Sequence, residues 1–229
     1  EFIYHESLVQ PAMVLHGSPE RVLILGGAEG ATAREVARWA CVRSIVMVDI
    51  DGAVVEACKT HLAEMHQNVF EDPRMTVVIN DAHEFLASDS GGWDAVILDL
   101  CDPVEDGPSL RLFTAEYFAT IARSLKTEGV VAVQAGPALG RGFAAVVRTM
   151  RSIFRTVLPY SITVPSYPGP WAFVFATNAS LTISDERSVA KRLKPITDEL
   201  RCLDADMLRA MFVLPRHIRC ALEREGELS

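Results

Sequence analysis

The stretch Val22-Leu23-Ile24-Leu25-Gly26-Gly27-Ala28-Glu29-Gly30-Ala31-Thr32-Ala33-Arg34-Glu35-Val36 decides how this chain is read. An apolar run of strand length enters a turn with three glycines in five positions, and a helical pattern follows at once. Glycine lets the backbone turn sharply and approach a ligand closely. The helix that starts there directs free N–H groups and the positive end of its dipole into the turn. Together these form the opening unit of a nucleotide- or nucleoside-binding α/β domain. The loop fits neither a phosphate loop with Gly-Lys-Ser/Thr nor a clean G-x-G-x-x-G. Glu29 would put a carboxylate where phosphate oxygens would lie, so an uncharged nucleoside or a cationic ligand suits the loop better. The plain alternative is a glycine turn that only reverses the chain.

The whole composition agrees with one domain and short appendages. With 229 residues, 49% of them hydrophobic, the chain can bury a sizeable core. No apolar run reaches the ~18 residues of a membrane span, and no signal peptide is visible. A cytoplasmic protein without a membrane partner is expected. The chain begins Glu-Phe-Ile-Tyr, as a fragment or processed form would. Five cysteines, at positions 41, 58, 101, 202 and 220, form no C-x-x-C and read as buried free thiols in a reducing compartment. The net charge of −8 disfavours nucleic acid and is compatible with a cationic substrate.

In order, Phe2-Ile3-Tyr4 reads as the end of a strand and His5–Leu15 as a short helix whose regularity Pro11 limits. Strand one is about Val22–Leu25 and the next helix about Thr32–Ala40. Ser44–Val48 is strand two, and a helix of about Gly52–Met65 follows. Met75–Ile79 is strand three, His83–Ala87 a short helix, and Ala95–Leu98 strand four. Phe113–Leu125 is a helix, Val130–Val133 strand five, and Gly142–Phe154 a helix. Strands of about Val157–Val164 and Ala172–Ala176 flank a proline-glycine loop and read as an antiparallel pair. A helical tail covers about Asp185–Leu193 and Asp206–Glu223. Alternating strands and helices predict a mostly parallel sheet covered on both faces. The closing antiparallel hairpin makes it an α/β, class I methyltransferase-like (Rossmann-like) sheet of seven strands. The expected division is a lead-in at 1–20, the Rossmann-like domain at 21–180 and a C-terminal helical segment at 181–229.

Acids sit at strand ends. Glu29 follows strand one, Asp49 closes strand two, Asp81 follows strand three, and Asp99 and Asp102 follow strand four. Ligands of such sheets bind outside the carboxyl ends of the strands, so all five should line one crevice. Singly, Asp51 or Asp81 reads equally well as a helix cap. Asp49, about twenty residues past the glycine loop, suits a ribose. Asp81-Ala82 lies where an adenine edge would be read. Asp99 and Asp102 straddle a turn near the reacting end and raise each other's proton affinity, tolerable if a cation binds between them. His61 and His66 do not share a helix face and make a poor metal pair. His16, His83 and His217 read as surface residues. No metal site is expected.

These residues resemble the polyamine aminopropyltransferases, spermidine synthase and its relatives. The resemblance rests on Tyr4-His5-Glu6, Gly26-Gly27-Ala28-Glu29-Gly30 with Arg34-Glu35, Val48-Asp49-Ile50-Asp51, Asp72-Pro73-Arg74 and Asp99-Leu100-Cys101-Asp102-Pro103. Gln134, Tyr167-Pro168 and Phe212-Val213-Leu214-Pro215 complete it, so it spans residues 1 to about 225. Residues 102–109 and 134–138 are similar to thermospermine synthases. Val48–Gly52, Glu64–Gln67 and Met211–Pro215 look like enzymes that use agmatine or longer amines, and Tyr167 is what a spermidine synthase would have.

The resemblance implies transfer of the aminopropyl group of decarboxylated S-adenosylmethionine, a co-substrate rather than a prosthetic group, to a polyamine. The product would be 5′-methylthioadenosine. Asp99 would accept the amine's proton and Tyr4 would orient the attacking nitrogen. Gly26, Gly27 and Glu29 would cradle the donor, Asp49 and Ile50 its ribose side, Asp81-Ala82 the adenine, and Pro108 the nucleoside. His5, Glu29, Asp99, Asp102, Gln134, Tyr167 and Trp171 would line the amine channel, Trp171 as an apolar or cation–π wall or simply as core. Two departures from the family stand out. Ala28 replaces a glycine, which weakens binding if the backbone there needs φ > 0. The family's small N-terminal β domain, which supplies a glutamine and an aspartate and helps subunits associate as a homodimer or homotetramer, does not precede Tyr4. The competing expectations are a methyltransferase on the same fold and a non-catalytic relative.

Overall fold

The structure is a computed structural model that describes residues 1–101, 110–180 and 186–223. In chain order its elements are α1 (Phe2–His16), β1 (Arg21–Gly26), α2 (Ala31–Ala37), β2 (Ser44–Asp49), α3 (Gly52–His61) and α4 (Ala63–His66). Next come β3 (Met75–Ile79), α5 (Ala82–Ser88), β4 (Trp93–Asp99), α6 (Ala115–Ser124), β5 (Leu125–Pro137) and α7 (Arg141–Arg151). The chain closes with β6 (Thr156–Thr163), β7 (Pro170–Thr177), α8 (Glu186–Leu193), α9 (Ala205–Met211) and α10 (Arg216–Glu223).

Among the described residues, seven strands form one sheet in the order β3-β2-β1-β4-β5-β7-β6. The first five pair in parallel, and β7 runs antiparallel between β5 and β6. This is the methyltransferase-like sheet predicted from the alternation. Within β1, Val22 to Leu25 are apolar without a break because both faces are covered there. Val22 and Ile24 join a cluster with α1, α2, α8 and α9, while Leu23 and Leu25 join one with α5, α6, α7 and α10. Its carboxyl end neighbours those of β2 and β4, which brings the glycine loop, Asp49 and Asp99 to one edge.

The start of the chain departs from expectation. Phe2-Ile3-Tyr4 is not a strand but the first turn of α1. Every residue of α1 from His5 to Leu15 is buried, so no apolar stripe at helical spacing marks it in the sequence. Pro11 sits inside it. Proline has no N–H for the carbonyl four residues back. That carbonyl, Ser7 O, accepts instead from the hydroxyl of fully buried Tyr160 at 2.9 Å. Burial alone drives the Tyr160 phenol far above its ordinary range.

Glu6, 1% exposed, ties this helix to the far end of the chain. Its carboxylate accepts three consecutive backbone N–H groups: Arg201 at 2.8 Å, and Cys202 and Leu203 at 2.9 Å each. Elsewhere the helix expected over 52–65 is broken at Leu62, with φ −116°, and α4 ends on Gln67 and Asn68, both left-handed. No cysteine is fully buried; four are half-buried and Cys101 is exposed, all as free thiols. His16 is not a surface residue. Its side chain is 12% exposed and lies 3.7 Å from Asp94, and burial lowers its pKa. His83 and His217 are exposed. Among the described residues no helix is long and apolar enough to cross a membrane.

Candidate active site

The glycine loop is shaped by contact with the end of β4. Gly26 has φ +84°, and a Cβ there would lie 2.2 Å from Asp99 O. The next residue, Gly27, donates its N–H to that same carbonyl at 3.1 Å. Gly30, φ +79°, sits against the rings of Phe70 and the side chain of His66. Ala28 is not among the residues with positive φ. The methyl group therefore meets no backbone strain, and the first ground for concern about Ala28 falls away.

Asp99 ends β4 with its side chain only 9% exposed. The hydroxyl of Tyr4 donates to Oδ1 at 2.8 Å, and Thr32, in the first turn of α2, donates to Oδ2 at 2.6 Å. Burial, then the nearby Glu29 carboxylate, raises the Asp99 pKa; His5, Thr32 and Tyr4 work in the other direction. The result is a more basic carboxylate held in one orientation by two hydroxyls. Burial and Asp99 push the Tyr4 phenol up as well, so it remains a donor.

His5 faces the same cluster. Nε2 lies 3.0 Å from Glu29 Oε1 and 4.0 Å from Asp99 Oδ2. Nδ1 lies 3.0 Å from the Glu1 carbonyl and 3.2 Å from the Glu1 carboxylate. Arg34 holds Glu1 through Nη2 at 3.1 Å and is itself held by fully buried Glu35 at 2.9 Å. His5 and Arg34 keep the Glu1 carboxyl down at about 2. Ligating atoms of His5, Glu29 and Asp99 lie within 4.8 Å of one another, a spacing that suits one small cation.

The remaining expected residues divide. The ring of Tyr167 stacks on that of Trp171 at 3.9 Å and meets that of Tyr4 edge-on at 6.3 Å, extending the site as an aromatic wall. Trp171 is 7% exposed, and its buried Nε1 has no hydrogen-bond partner among the described residues. Asp49 ends β2, its Oδ1 accepting from the Asp51 N–H at 3.0 Å; burial raises its pKa. Ile50 beside it is 66% exposed. Asp51 caps α3 and Asp81 caps α5, the latter through its Oδ1 to the N–H of His83 at 2.8 Å. Ala82 opens α5 and is 8% exposed. Gln134 spans two backbone segments, donating to Leu100 O at 2.8 Å and accepting from the Gly136 N–H at 3.0 Å. It thus fixes the chain beyond β4 to the end of β5. Asp102 and Pro108 lie outside the described residues.

Thr32 and Glu1 were missed by sequence reasoning. The signal for Thr32 was a hydroxyl in the helix turn that follows a glycine loop. For Glu1 it was an acid four residues before His5, visible only once the segment is recognised as a helix.

Comparison with known proteins gives the family. The model of the spermine/spermidine synthase domain matches residues 1–185. A polyamine aminopropyltransferase of Synechococcus sp. (strain JA-3-3Ab) is 46% identical over 98% of this chain and 76% of its own length. Polyamine aminopropyltransferase 2 of Pseudomonas aeruginosa is 41% identical over 99% of this chain and 66% of its own length. A crystal structure of spermidine synthase in complex with the transition-state analogue AdoDATO superposes with a TM-score of 0.90 at 29% identity, covering 97% of this chain and 76% of that one. Spermidine synthase from Thermotoga maritima gives 0.88 at 28% identity, covering 97% and 75%. The glycine loop, the strand-end acids and these matches along nearly the whole chain together make it a member of the spermine/spermidine synthase family of polyamine aminopropyltransferases.

Proposed function

We propose that this chain moves the aminopropyl group of decarboxylated S-adenosylmethionine to a polyamine, with spermidine as first choice of acceptor and thermospermine as product. Putrescine and agmatine are the alternative acceptors. The observation that carries the reaction is the buried Asp99 carboxylate, oriented by Tyr4 and Thr32 beside Glu29 and His5. The choice of spermidine is supported by the likeness of residues 102–109 and 134–138 to thermospermine synthases; Tyr167 counts against it.

The donor carries a sulfonium and an ammonium but no carboxylate, which suits a pocket of acids. The acceptor must lose a proton before it has a lone pair. At a reference pKa of ~10, holding an amine neutral near pH 7 costs about 4 kcal/mol. Asp99 takes that proton as the nitrogen attacks the carbon next to sulfur. The carbon–sulfur bond breaks with its electron pair going to sulfur, leaving the neutral thioether methylthioadenosine. The Tyr4 hydroxyl, fixed on Asp99 Oδ1, marks where the nitrogen approaches. Alignment of nitrogen, carbon and sulfur supplies much of the remaining rate. Asp49 takes the ribose hydroxyls and Asp81-Ala82 the adenine edge.

The test is incubation with decarboxylated S-adenosylmethionine and, separately, putrescine, agmatine, spermidine and norspermidine, with products identified by mass. Thermospermine from spermidine is the expected outcome. A preference for putrescine or agmatine overturns the acceptor, and no transfer to any amine overturns the reaction.

A further inference from the structure

His5 is surrounded by acceptors on both ring nitrogens. The Glu1 carbonyl and carboxylate face Nδ1. The Glu29 carboxylate faces Nε2, with Asp99 behind it. None of these atoms donates when the acids are ionised, so each nitrogen carries a hydrogen, and an imidazole with two N–H groups is a cation. It occupies the carboxylates that a substrate ammonium would use. We propose that His5 is a built-in stand-in for the substrate's ammonium, and that seating a cationic ligand on Glu29 and Asp99 releases one proton from Nε2 of His5 to solvent. This rests on the proposed function above, in which the ligand is cationic.

The geometry gives the exchange a reason. An ammonium has three N–H donors and no acceptor. Glu29, Asp99 and Nε2 of His5 lie within 4.8 Å of one another. Protonated, His5 leaves only two acceptors and adds a like charge beside the ammonium. Deprotonated at Nε2, it becomes the third acceptor and keeps its Nδ1–H bond to Glu1. The titratable groups around it are Glu1, which precedes its helix, the neutral phenol of Tyr4 on the same helix, and Glu29 on the loop after β1. Asp99 faces it from the end of β4, and Arg34 on α2 acts through Glu1. Burial pulls the His5 pKa down, but the bonds to Glu1 and Glu29 and the field of Asp99 outweigh it and hold the ring at about 9. The proton is therefore present at neutral pH and available for release.

Calorimetric titration in buffers of different ionisation enthalpy counts the protons released. Decarboxylated S-adenosylmethionine is expected to release about one proton per site near pH 7.5, and uncharged methylthioadenosine about none. Affinity for the cationic ligand, relative to methylthioadenosine, rises up to about tenfold per pH unit between about pH 6 and 8. In His5→Gln the release disappears. Should that variant fail to fold, nitrogen NMR of the wild-type histidine reads the same event, Nε2 changing from protonated to bare on addition of the cationic ligand. Tight binding without proton release, or release undiminished in His5→Gln, overturns the proposal and leaves the proposed function standing. Failure of both ligands to bind overturns the proposed function, and this exchange with it.

Discussion

The Tyr160 hydroxyl stands in for the N–H that Pro11 lacks, and this substitution of one donor for another can be measured. In Tyr160→Phe the ring keeps its contacts with Phe173 and Phe212, at centroid distances of 5.5 and 4.7 Å, and only the hydroxyl is lost. Ser7 O is then a buried carbonyl with no helical donor, since residue 11 has no N–H. Leaving such a group unsatisfied costs about 1–3 kcal/mol. Pro11→Ala returns a backbone N–H at the right place to bond Ser7 O. In that background Tyr160→Phe removes a bond whose acceptor still has a partner, and about 1 kcal/mol or less is expected. The four proteins form a double-mutant cycle, read by equilibrium urea unfolding with matched slopes. A coupling of about 1 kcal/mol or more is the expected result. An equal cost of Tyr160→Phe in both backgrounds would refute the account of how α1 tolerates its proline.

Asp99→Asn removes the proton acceptor but little volume; transfer is expected to fall below detection while methylthioadenosine still binds by calorimetry, and near-normal turnover rejects the role. Thr32→Val takes away the 2.6 Å donor that favours ionised Asp99. The carboxyl then holds its proton to higher pH, so the acidic limb of the kcat/KM profile moves upward in pH; an unmoved or downward limb contradicts the assignment. Gly26→Ala drives a Cβ into Asp99 O at 2.2 Å and is expected to abolish activity, whereas Ala28→Gly changes methylthioadenosine affinity by less than about threefold, or under about 0.7 kcal/mol. A large gain of affinity in Ala28→Gly would show that the methyl group obstructs the ligand after all.

What the sequence discloses follows physical rules visible in single residues. The run Val22–Leu25 and the glycines after it are local signals, and the sheet and its acid-lined edge follow from them. Burial on all sides erases such signals. The helix α1 shows no stripe, so Phe2-Ile3-Tyr4 reads as a strand although Tyr4 and His5 lie on a helix that aims them at Asp99. Caps compete with ligands for the same acids. Asp51 and Asp81 each accept backbone N–H groups of the helix they open, a role their position after a strand allowed from the start. The roles of Thr32, Glu1 and Gln134 depend on partners 67, 4 and 34 residues away, and only Glu1 lies at a spacing that helix periodicity makes legible.

Glu6 gives the order of assembly a particular shape. It follows Tyr4 and His5 directly, and its three donors lie 195 to 197 residues further on. Contacts of such separation carry the full loop-closure entropy and form late. Tyr4 and His5 thus leave the ribosome well ahead of the anchor behind them, which is complete only after Leu203 has emerged. Until then Glu6 is a carboxylate without its amides, which water solvates and the core does not admit. The chemistry carried by Tyr4 and His5 therefore becomes competent only when residues 201–203 have arrived to hold it.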